Sequence, residues 1–314
     1  MTSSVLCVDI GGTSTKAGVL DDAGQLHSIE SIPTTPDAPS FIDRLCALID
    51  RTHASAGGAG FAITGIGVAV AGFVSTERDR LVYNPNLSWL EQFPIKRRLA
   101  QRFDFPIELE VDSNAATMAE YHFGSGQSSR RFLCVTCGTG MGVGMTVEGV
   151  PLRFAYGCLG DIGHVIVEPN GVLCACGGRG CAEALVSAPA LAERYKAQTG
   201  GACDLTLKDV IDAATSGEPR AVALLEETGI WLGIAVSSMS NILFPDHIAI
   251  AGGLSAAGDF VLKPAEQVFR QSASILARSN VSFSKATLGT VATLIGAAWP
   301  FWENRKRNGE SVTG

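Results

Sequence analysis

Three apolar runs in this chain of 314 residues each end on glycine. Residues 5–9 break into Gly11-Gly12-Thr13, residues 132–136 into Cys137-Gly138-Thr139-Gly140, and residues 246–251 into Gly252-Gly253. A buried strand that stops on glycines lets backbone N–H groups at its carboxyl end approach an anion closely, and three such ends in one chain predict a ligand site rather than three plain turns. Between the runs lie amphipathic segments, among them 41–53, where Phe41, Leu45, Leu48 and Ile49 fall at helical spacing behind a start signal at Pro39 or Ser40. Strand-like and helix-like segments therefore alternate, which is the pattern of an α/β protein. The strand-to-glycine unit opens the chain and recurs near residue 132, which predicts two halves of related architecture. Further strands are expected at 16–20, 61–70 and 106–111. Helices are expected at 94–102, through much of the region from 188 to the strand at 246–251, at 260–274 and from 292 to 298. A polar tail, 303–314, is expected to fray.

Composition narrows the functional classes. With 46% apolar and 18% charged residues the chain is suited to compact lobes rather than disorder. Its net charge of −7, from 24 basic and 31 acidic residues, argues against nucleic acid, whose binding rests on clustered Lys and Arg. The one compact basic run, Lys96-Arg97-Arg98, reads as a solvated helix face. The longest apolar stretch is read at 61–74; it falls short of the roughly 18–20 residues of a membrane helix and is interrupted by Gly65, Gly67 and Gly72. No basic and apolar leader follows Met1, so no membrane association and a cytoplasmic location are expected. Nine cysteines in that setting read as free thiols or metal ligands, not as a disulfide framework. Cys7, Cys46, Cys134 and Cys203 fit scattered buried thiols.

The spacing of the remaining cysteines is specific. His164-x9-Cys174-x-Cys176-x4-Cys181 offers one imidazole and three thiolates, a closed tetrahedral set suited to structural zinc inside the glycine-rich stretch 157–180. In the first turn, Asp9, Gly11, Gly12, Thr13, Thr15 and Lys16 make a candidate phosphate cradle, with Asp9 placed to hold magnesium through water. Alone, that Gly-Gly-Thr fits a plain turn with a solvated Asp equally well. Gly138, Thr139 and Gly140 repeat the device, and Gly252 and Gly253 offer a third surface, suited to a flat base and ribose. Asp112 follows an apolar strand and precedes a helix; taken alone, such an Asp is usually a helix cap.

The order of these pieces resembles the ROK sugar kinases, from Asp9 to about Ala298. It runs from the first phosphate motif through Asn84-Pro85-Asn86-Leu87-Ser88-Trp89, Asp112-Ser113-Asn114-Ala115-Ala116, Gly138-Thr139-Gly140 and Gly160-Asp161-Ile162-Gly163-His164 to the cysteine cluster, Glu183 and Ala251-Gly252-Gly253. The resemblance implies a two-lobed α/β, ribonuclease H-like fold, shared with actin and hexokinase, with the active site in an interlobe cleft. The expected lobes are 1–115 with 296–314, and 116–295 with the zinc loop 157–183. It implies ATP, Mg²⁺ and structural Zn²⁺ as cofactors, Asp112 as the catalytic base, and Asn86, Asp112, Asp161, His164 and Glu183 as sugar-binding residues. His164, Cys174, Cys176 and Cys181 are its zinc ligands. Homodimers or larger homo-oligomers are common in the family.

Two positions depart from the family pattern. Val111 stands where most members have Asn before the catalytic Asp, and Asp161 where they have Glu; in addition, Ala71-Gly72 replaces a Pro-Gly turn. Both substituted positions belong to the sugar-reading set, because a site built around a hydroxyl rejects ligands that leave its polar groups unpaired. The implied activity is ATP-dependent phosphorylation of a primary, 6-OH-type hydroxyl of a hexose or hexose-like acceptor. The alternatives are a modified acceptor (N-acetylmannosamine, N-acetylglucosamine, an amino sugar or a C7-cyclitol) and, in a different class, a non-catalytic sugar sensor. A DNA-binding regulator is disfavoured, since eight residues precede Asp9.

Overall fold

The computed structural model describes residues 2–200 and 204–302; Cys203 and the tail 303–314 lie outside the described residues. The chain forms two compact units. The first takes in the described parts of Met1–Phe123, Pro151–Leu159 and Val291–Gly314, and the second those of Gly124–Val150 and Gly160–Thr290.

The first unit begins with strands β1 (Thr2–Ile10), β2 (Ser14–Asp21) and β3 (Leu26–Pro33), followed by helix α1 (Ala38–Gly58) and strand β4 (Phe61–Val70). A short hairpin, β5 (Phe73–Val74) and β6 (Leu81–Tyr83), leads to helix α2 (Ile95–Ala100), strand β7 (Ile107–Val111) and helix α3 (Asp112–Phe123). The main sheet has the order β3-β2-β1-β4-β7. Antiparallel pairs join β1 to β2 and β2 to β3, and parallel pairs join β1 to β4 and β4 to β7. Strand β1 is central, so it is apolar on both faces: Leu6, Cys7, Val8 and Ile10 are all buried. On β4 the alternation of side chains decides what covers each face. Ile66, Val68 and Val70 share a core with Phe41, Leu45, Leu48 and Ile49 of α1. Gly65 and Gly67 face the other way, where a Cβ on Gly67 would lie 2.0 Å from the carbonyl oxygen of Ala297. The segment that includes helix α10 (Ala292–Gly296) therefore returns to this sheet. It also presses on α3, since a Cβ on Gly296 would lie 1.7 Å from the carbonyl oxygen of Ala115. Helix α3 runs through the boundary that the sequence suggested at residue 115.

The second unit repeats the plan with strands β8 (Arg131–Cys137), β9 (Met141–Val147), β10 (Val150–Pro151), β11 (His247–Ala251) and β12 (Ser282–Lys285). Their order is β10-β9-β8-β11-β12. As in the first unit, the first strand pairs antiparallel with the second and parallel with the fourth, and the fourth pairs parallel with the fifth. The expectation of two related halves and of an α/β, ribonuclease H-like fold is borne out by this shared order. Strands β3, β9 and β12 were not anticipated. β9 reads Met-Gly-Val-Gly-Met-Thr-Val, whose glycines look like a continuation of the turn before it, and β12 is a polar edge strand.

Helices α4 (Ala182–Val186), α5 (Ala188–Thr199), α6 (Leu207–Thr215), α7 (Pro219–Leu243), α8 (Asp259–Ser272) and α9 (Ile275–Arg278) complete the second unit. Among the described residues, α7 alone is long and apolar enough by length and composition to cross a membrane. It is a core helix in this structure. Gly229 and Gly233 bring α8 so close that a Cβ would stand 2.5 and 2.6 Å from the carbonyl oxygens of Val261 and Ala265.

Candidate functional site

Parallel strands β1, β4 and β7 end in register, with Ile10 beside Val70 and Val70 beside Val111. Asp9 is the penultimate residue of β1 and Asp112 immediately follows β7, so both carboxylates stand at the carboxyl edge of one sheet, where open α/β sheets bind ligands. Both are half-buried. Desolvation pushes the Asp9 carboxyl up to about 6, against the opposing pull of Lys16. Asp112 is pushed up to about 7, first by desolvation and then by the charge of Asp9, although the Ser113 N–H donates to its Oδ1 at 2.7 Å. Two desolvated carboxylates, one of them lifted further by its neighbour's charge, are suited to proton transfer and to a divalent cation.

The first glycine turn lies beside them. Gly11 N–H donates to the Ser14 carbonyl at 3.1 Å, and Gly12 sits against Asn86, whose Cβ would be 3.3 Å from a Cβ placed on the glycine. Gly12 and Thr13 are exposed. Thr15 is different: it is fully buried and shares a 2.8 Å hydrogen bond with the Thr34 hydroxyl, which removes it from the exposed face of the turn. Asn86 is exposed on a short helical turn, Pro85–Leu90, that Asn84 caps by accepting from the Asn86 N–H at 2.8 Å. Leu87 and Leu90 pin that turn to the core, and Trp89 packs edge-on to Phe41.

Beneath Asp112 lies a charge network that sequence reasoning missed. Glu110 is completely buried. Arg153 Nη2 and Arg78 Nη1 donate to its Oε2 at 2.5 and 3.3 Å, and Asn114 Nδ2 donates to its Oε1 at 2.9 Å. The same Asn114 amide also donates to the Gly157 carbonyl at 2.7 Å. The strand before Asp112, the helix after it, the β5–β6 turn and the segment 151–159 are thus held on one carboxylate. The sequence signal was a Glu in a strand otherwise expected to be buried; its partners sit at distances no local pattern reveals. Val111 is 3% exposed, inside the same core, and packs under Gly157.

In the second unit the turn after β8 is tied to α4. Met141 N–H donates to Glu183 Oε2 at 2.8 Å, and a Cβ on Gly140 would stand 2.6 Å from that oxygen. Gly138 N–H donates to the Gly140 carbonyl, and the Gly138 carbonyl accepts from Ala188 N–H at the start of α5. Thr139 is exposed on this turn. Gly252 closes on it from β11: its φ is +79°, and a Cβ would lie 2.3 Å from the carbonyl oxygen of Cys137, so only glycine fits. Gly252 and Gly253 are both exposed.

The donor atoms of His164, Cys174, Cys176 and Cys181 all lie within 4.8 Å of one another. His164 Nδ1 is 3.5 Å from Cys174 Sγ, and Cys176 Sγ is 3.6 Å from Cys181 Sγ. A tetrahedral zinc with thiolates at about 2.3 Å sets its sulfurs about 3.8 Å apart, so the set fits that metal. Glycines make the close folding possible: Gly180 has φ +69°, and a Cβ there would overlap the Glu168 carbonyl oxygen at 1.6 Å. With Nδ1 turned to the cysteines, His164 Nε2 faces Asp161 Oδ1 at 3.5 Å, and the Asp161 side chain is 55% exposed. The structure thus brings His164 and Asp161 together, and Gly163 between them lies against Met141 and Glu183 at the second glycine turn, with a would-be Cβ 2.7 Å from the Met141 carbonyl oxygen and 3.5 Å from the Glu183 Cβ.

A sequence profile described as the ROK family matches residues 5–303. The chain belongs to the ROK family. This ROK protein is 32% identical over 311 residues to a glucokinase of Streptomyces coelicolor, with 93% of this chain and 95% of the relative covered. It is 30% identical over 294 residues to an N-acetylmannosamine kinase of Haemophilus influenzae, with 94% of each covered. Its fold superposes with a TM-score of 0.83 on a ROK family glucokinase from Streptomyces griseus solved in complex with glucose and AMPPNP, at 32% identity and with 95% of this chain and 98% of the other covered.

Proposed function

We propose that this ROK protein is an ATP-dependent sugar kinase that phosphorylates a primary hydroxyl of a hexose or hexose-like acceptor. The observation that carries this reading is the Asp9–Asp112 pair at one sheet edge, with the Asp112 carboxyl poised at about 7. The likeness to a glucokinase, to an N-acetylmannosamine kinase and to a glucokinase holding an ATP analogue supports it.

In this reading Asp112 accepts the proton of the acceptor hydroxyl as its oxygen bonds to the γ-phosphorus and the bond to the β–γ bridging oxygen breaks, releasing ADP. Phosphoryl transfer asks mainly for positioning and charge balance, which is why one carboxylate and several glycine turns suffice. The N–H groups of Gly12 and Thr13, with Lys16, and of Thr139 and Gly140 would hold the phosphates, on turns shaped by Gly11 and Gly138, whose own N–H groups are bonded to the Ser14 and Gly140 carbonyls; Gly252 and Gly253 would hold the base and ribose. Asn86, Asp161, His164 and Glu183 would hold acceptor hydroxyls. The desolvated Asp9 suits Mg²⁺, which would neutralise charge on the phosphates. The cysteine set suits Zn²⁺, which would fix the His164 ring and leave Nε2 for the acceptor. Thiols that are all free among the described residues agree with a cytosolic address. We take the protein to act as a homo-oligomer without nucleic acid or membrane.

A second reading, a modified sugar or cyclitol as acceptor, is favoured by one feature: Val111 and Asp161 replace an Asn and a Glu of the family's sugar-reading set while the ATP and zinc sets stand. A coupled assay for ADP release over a broad panel of sugars and cyclitols tests both readings. Acceptor-dependent release is expected, whereas binding without release from any acceptor would leave the sensor class.

A further inference from the structure

We propose that Phe73, Tyr83 and Tyr156 form an aromatic shelf that holds an apolar edge or substituent of the acceptor. The inference rests on the sugar-kinase reading above and specifies the acceptor's chemistry.

The three rings are contiguous on the first unit. Phe73 and Tyr83 are register partners across β5 and β6, with centroids 6.3 Å apart, and Tyr156 stands edge-on to Phe73, also at 6.3 Å. Tyr83 is 48% and Tyr156 55% exposed, whereas aromatic rings in a folded chain are ordinarily among its more buried groups. Tyr156 also has φ +59° and ψ 26°, a left-handed conformation that a bulky residue adopts only when its surroundings force it. The forcing groups are visible. The next residue, Gly157, has its carbonyl held by Asn114, and its Cα face lies on Val74 and Val111, with a would-be Cβ 2.7 and 3.7 Å from their Cγ2 atoms. The fold thus holds a strained turn that leaves a large ring outside the core.

Position supplies the occupant. Tyr83 immediately precedes Asn84, the cap of the turn that carries Asn86, and Gly72 lies against both, 2.5 Å from the Tyr83 carbonyl oxygen by a would-be Cβ. Tyr156 is one residue from the glycine seated on Val111, next to Asp112. The shelf is therefore continuous with the proposed acceptor side. Its chemistry matches Val111: where the family pattern supplies an amide, this chain supplies an alkyl group and, over it, a turn bearing a ring. Tilted and edge-on rings of this kind form a shallow apolar wall that takes ring carbons lacking a hydroxyl, or an alkyl or aryl substituent, through C–H contacts with the ring faces.

The test compares glucose with its 2-, 3- and 4-deoxy analogues and with methyl and phenyl β-glucosides, in wild type, Tyr156→Asn, Tyr83→Thr and Tyr156→Phe. Asn tolerates the left-handed backbone and Thr suits a strand, so both loss variants keep the local conformation. For at least one apolar analogue, the ratio of its kcat/KM to that of glucose should fall about tenfold in Tyr156→Asn through the acceptor KM, and Tyr156→Phe should retain the wild-type ratio. Equal ratios in wild type and both loss variants, or an equal loss in Tyr156→Phe, would overturn the shelf. Calorimetric binding of the same ligands reads the shelf without turnover: an apolar preference that the loss variants abolish supports it, and its absence refutes it. No turnover with any acceptor would refute the kinase reading instead.

Discussion

The state of Asp112 sets the behaviour of the proposed site. Its carboxyl, lifted to about 7 by desolvation and by Asp9, must lose a proton before it can accept one, so kcat/KM of the free enzyme should rise as pH increases through about 7 and level off above it. Asp9, at about 6, ionises ahead of it and adds to its shift. A profile flat from pH 5 to 8 would contradict this. The sign for stability is opposite. Because the folded-state pKa lies above the ordinary Asp value, the stability contributed by the neutral form is complete below about pH 4 and lost as pH rises through about 7. Asp112→Asn should therefore melt higher than wild type at pH 8, with the gap closing toward pH 4, while turnover drops about 10²–10⁴-fold. A thermal-shift series across pH checks the first statement and the ADP assay the second. Val111 behaves differently from what its place in the sequence suggests. It is packed in the core under Gly157, so Val111→Asn should cost about 1–3 kcal/mol in a urea melt by burying an amide. Any change in acceptor preference at this position is expected to pass through the turn above it.

Two small elements carry more structure than their length suggests. The junction from β7 to α3 hangs on Glu110, whose buried charge is balanced by Arg78 and Arg153. Removing Arg153 leaves Glu110 to Arg78 and Asn114, so Arg153→Ala should destabilise the fold by about 1.5–3 kcal/mol in denaturant titration; a loss below about 1 kcal/mol would show that the network is slack. On the proposed reading the cysteine loop would depend on bound zinc in the same way. Cys176→Ser should lower bound zinc, measured by elemental analysis, and raise the acceptor KM, because His164 loses the partner that orients it. Full zinc content with unchanged KM would contradict the role given to the loop. How legible these elements were followed from how local their signal is. The four ligands, the glycine turns and β4 could be read from neighbouring residues. Glu110 with Arg153, Thr15 with Thr34, and the outward ring of Tyr156 depend on residues that meet only in the folded unit. Of the strands that escaped notice, β9 carries the alternation, with Met141, Val143, Met145 and Val147 on every second position, but its glycines hide it behind the turn before it, and β12 is too short and polar to show a pattern.

At the scale of the molecule, one five-stranded plan was read twice: the two strand-to-glycine units announced it, and the order of the two sheets repeats it. The duplication places a glycine turn after the first strand of each unit, and the units then differ in what they add. The first adds a carboxylate pair, the second a candidate metal-braced loop and the Gly252 turn. In the proposed reading the repeat supplies the scaffold and the two phosphate-holding turns and the additions supply the rest of the chemistry, which is why family membership was plain in the sequence while the acceptor was not. The central claim, that this chain transfers phosphate from ATP to a sugar-like alcohol through Asp112, is tested most directly by one measurement. Purified protein with Mg²⁺ and ATP is supplied with a panel of hexoses, N-acetylhexosamines and cyclitols, and ADP release is followed for wild type and Asp112→Asn. The account predicts acceptor-dependent release that the substitution lowers by at least about a hundredfold. Release independent of any acceptor, or undiminished in Asp112→Asn, would contradict it.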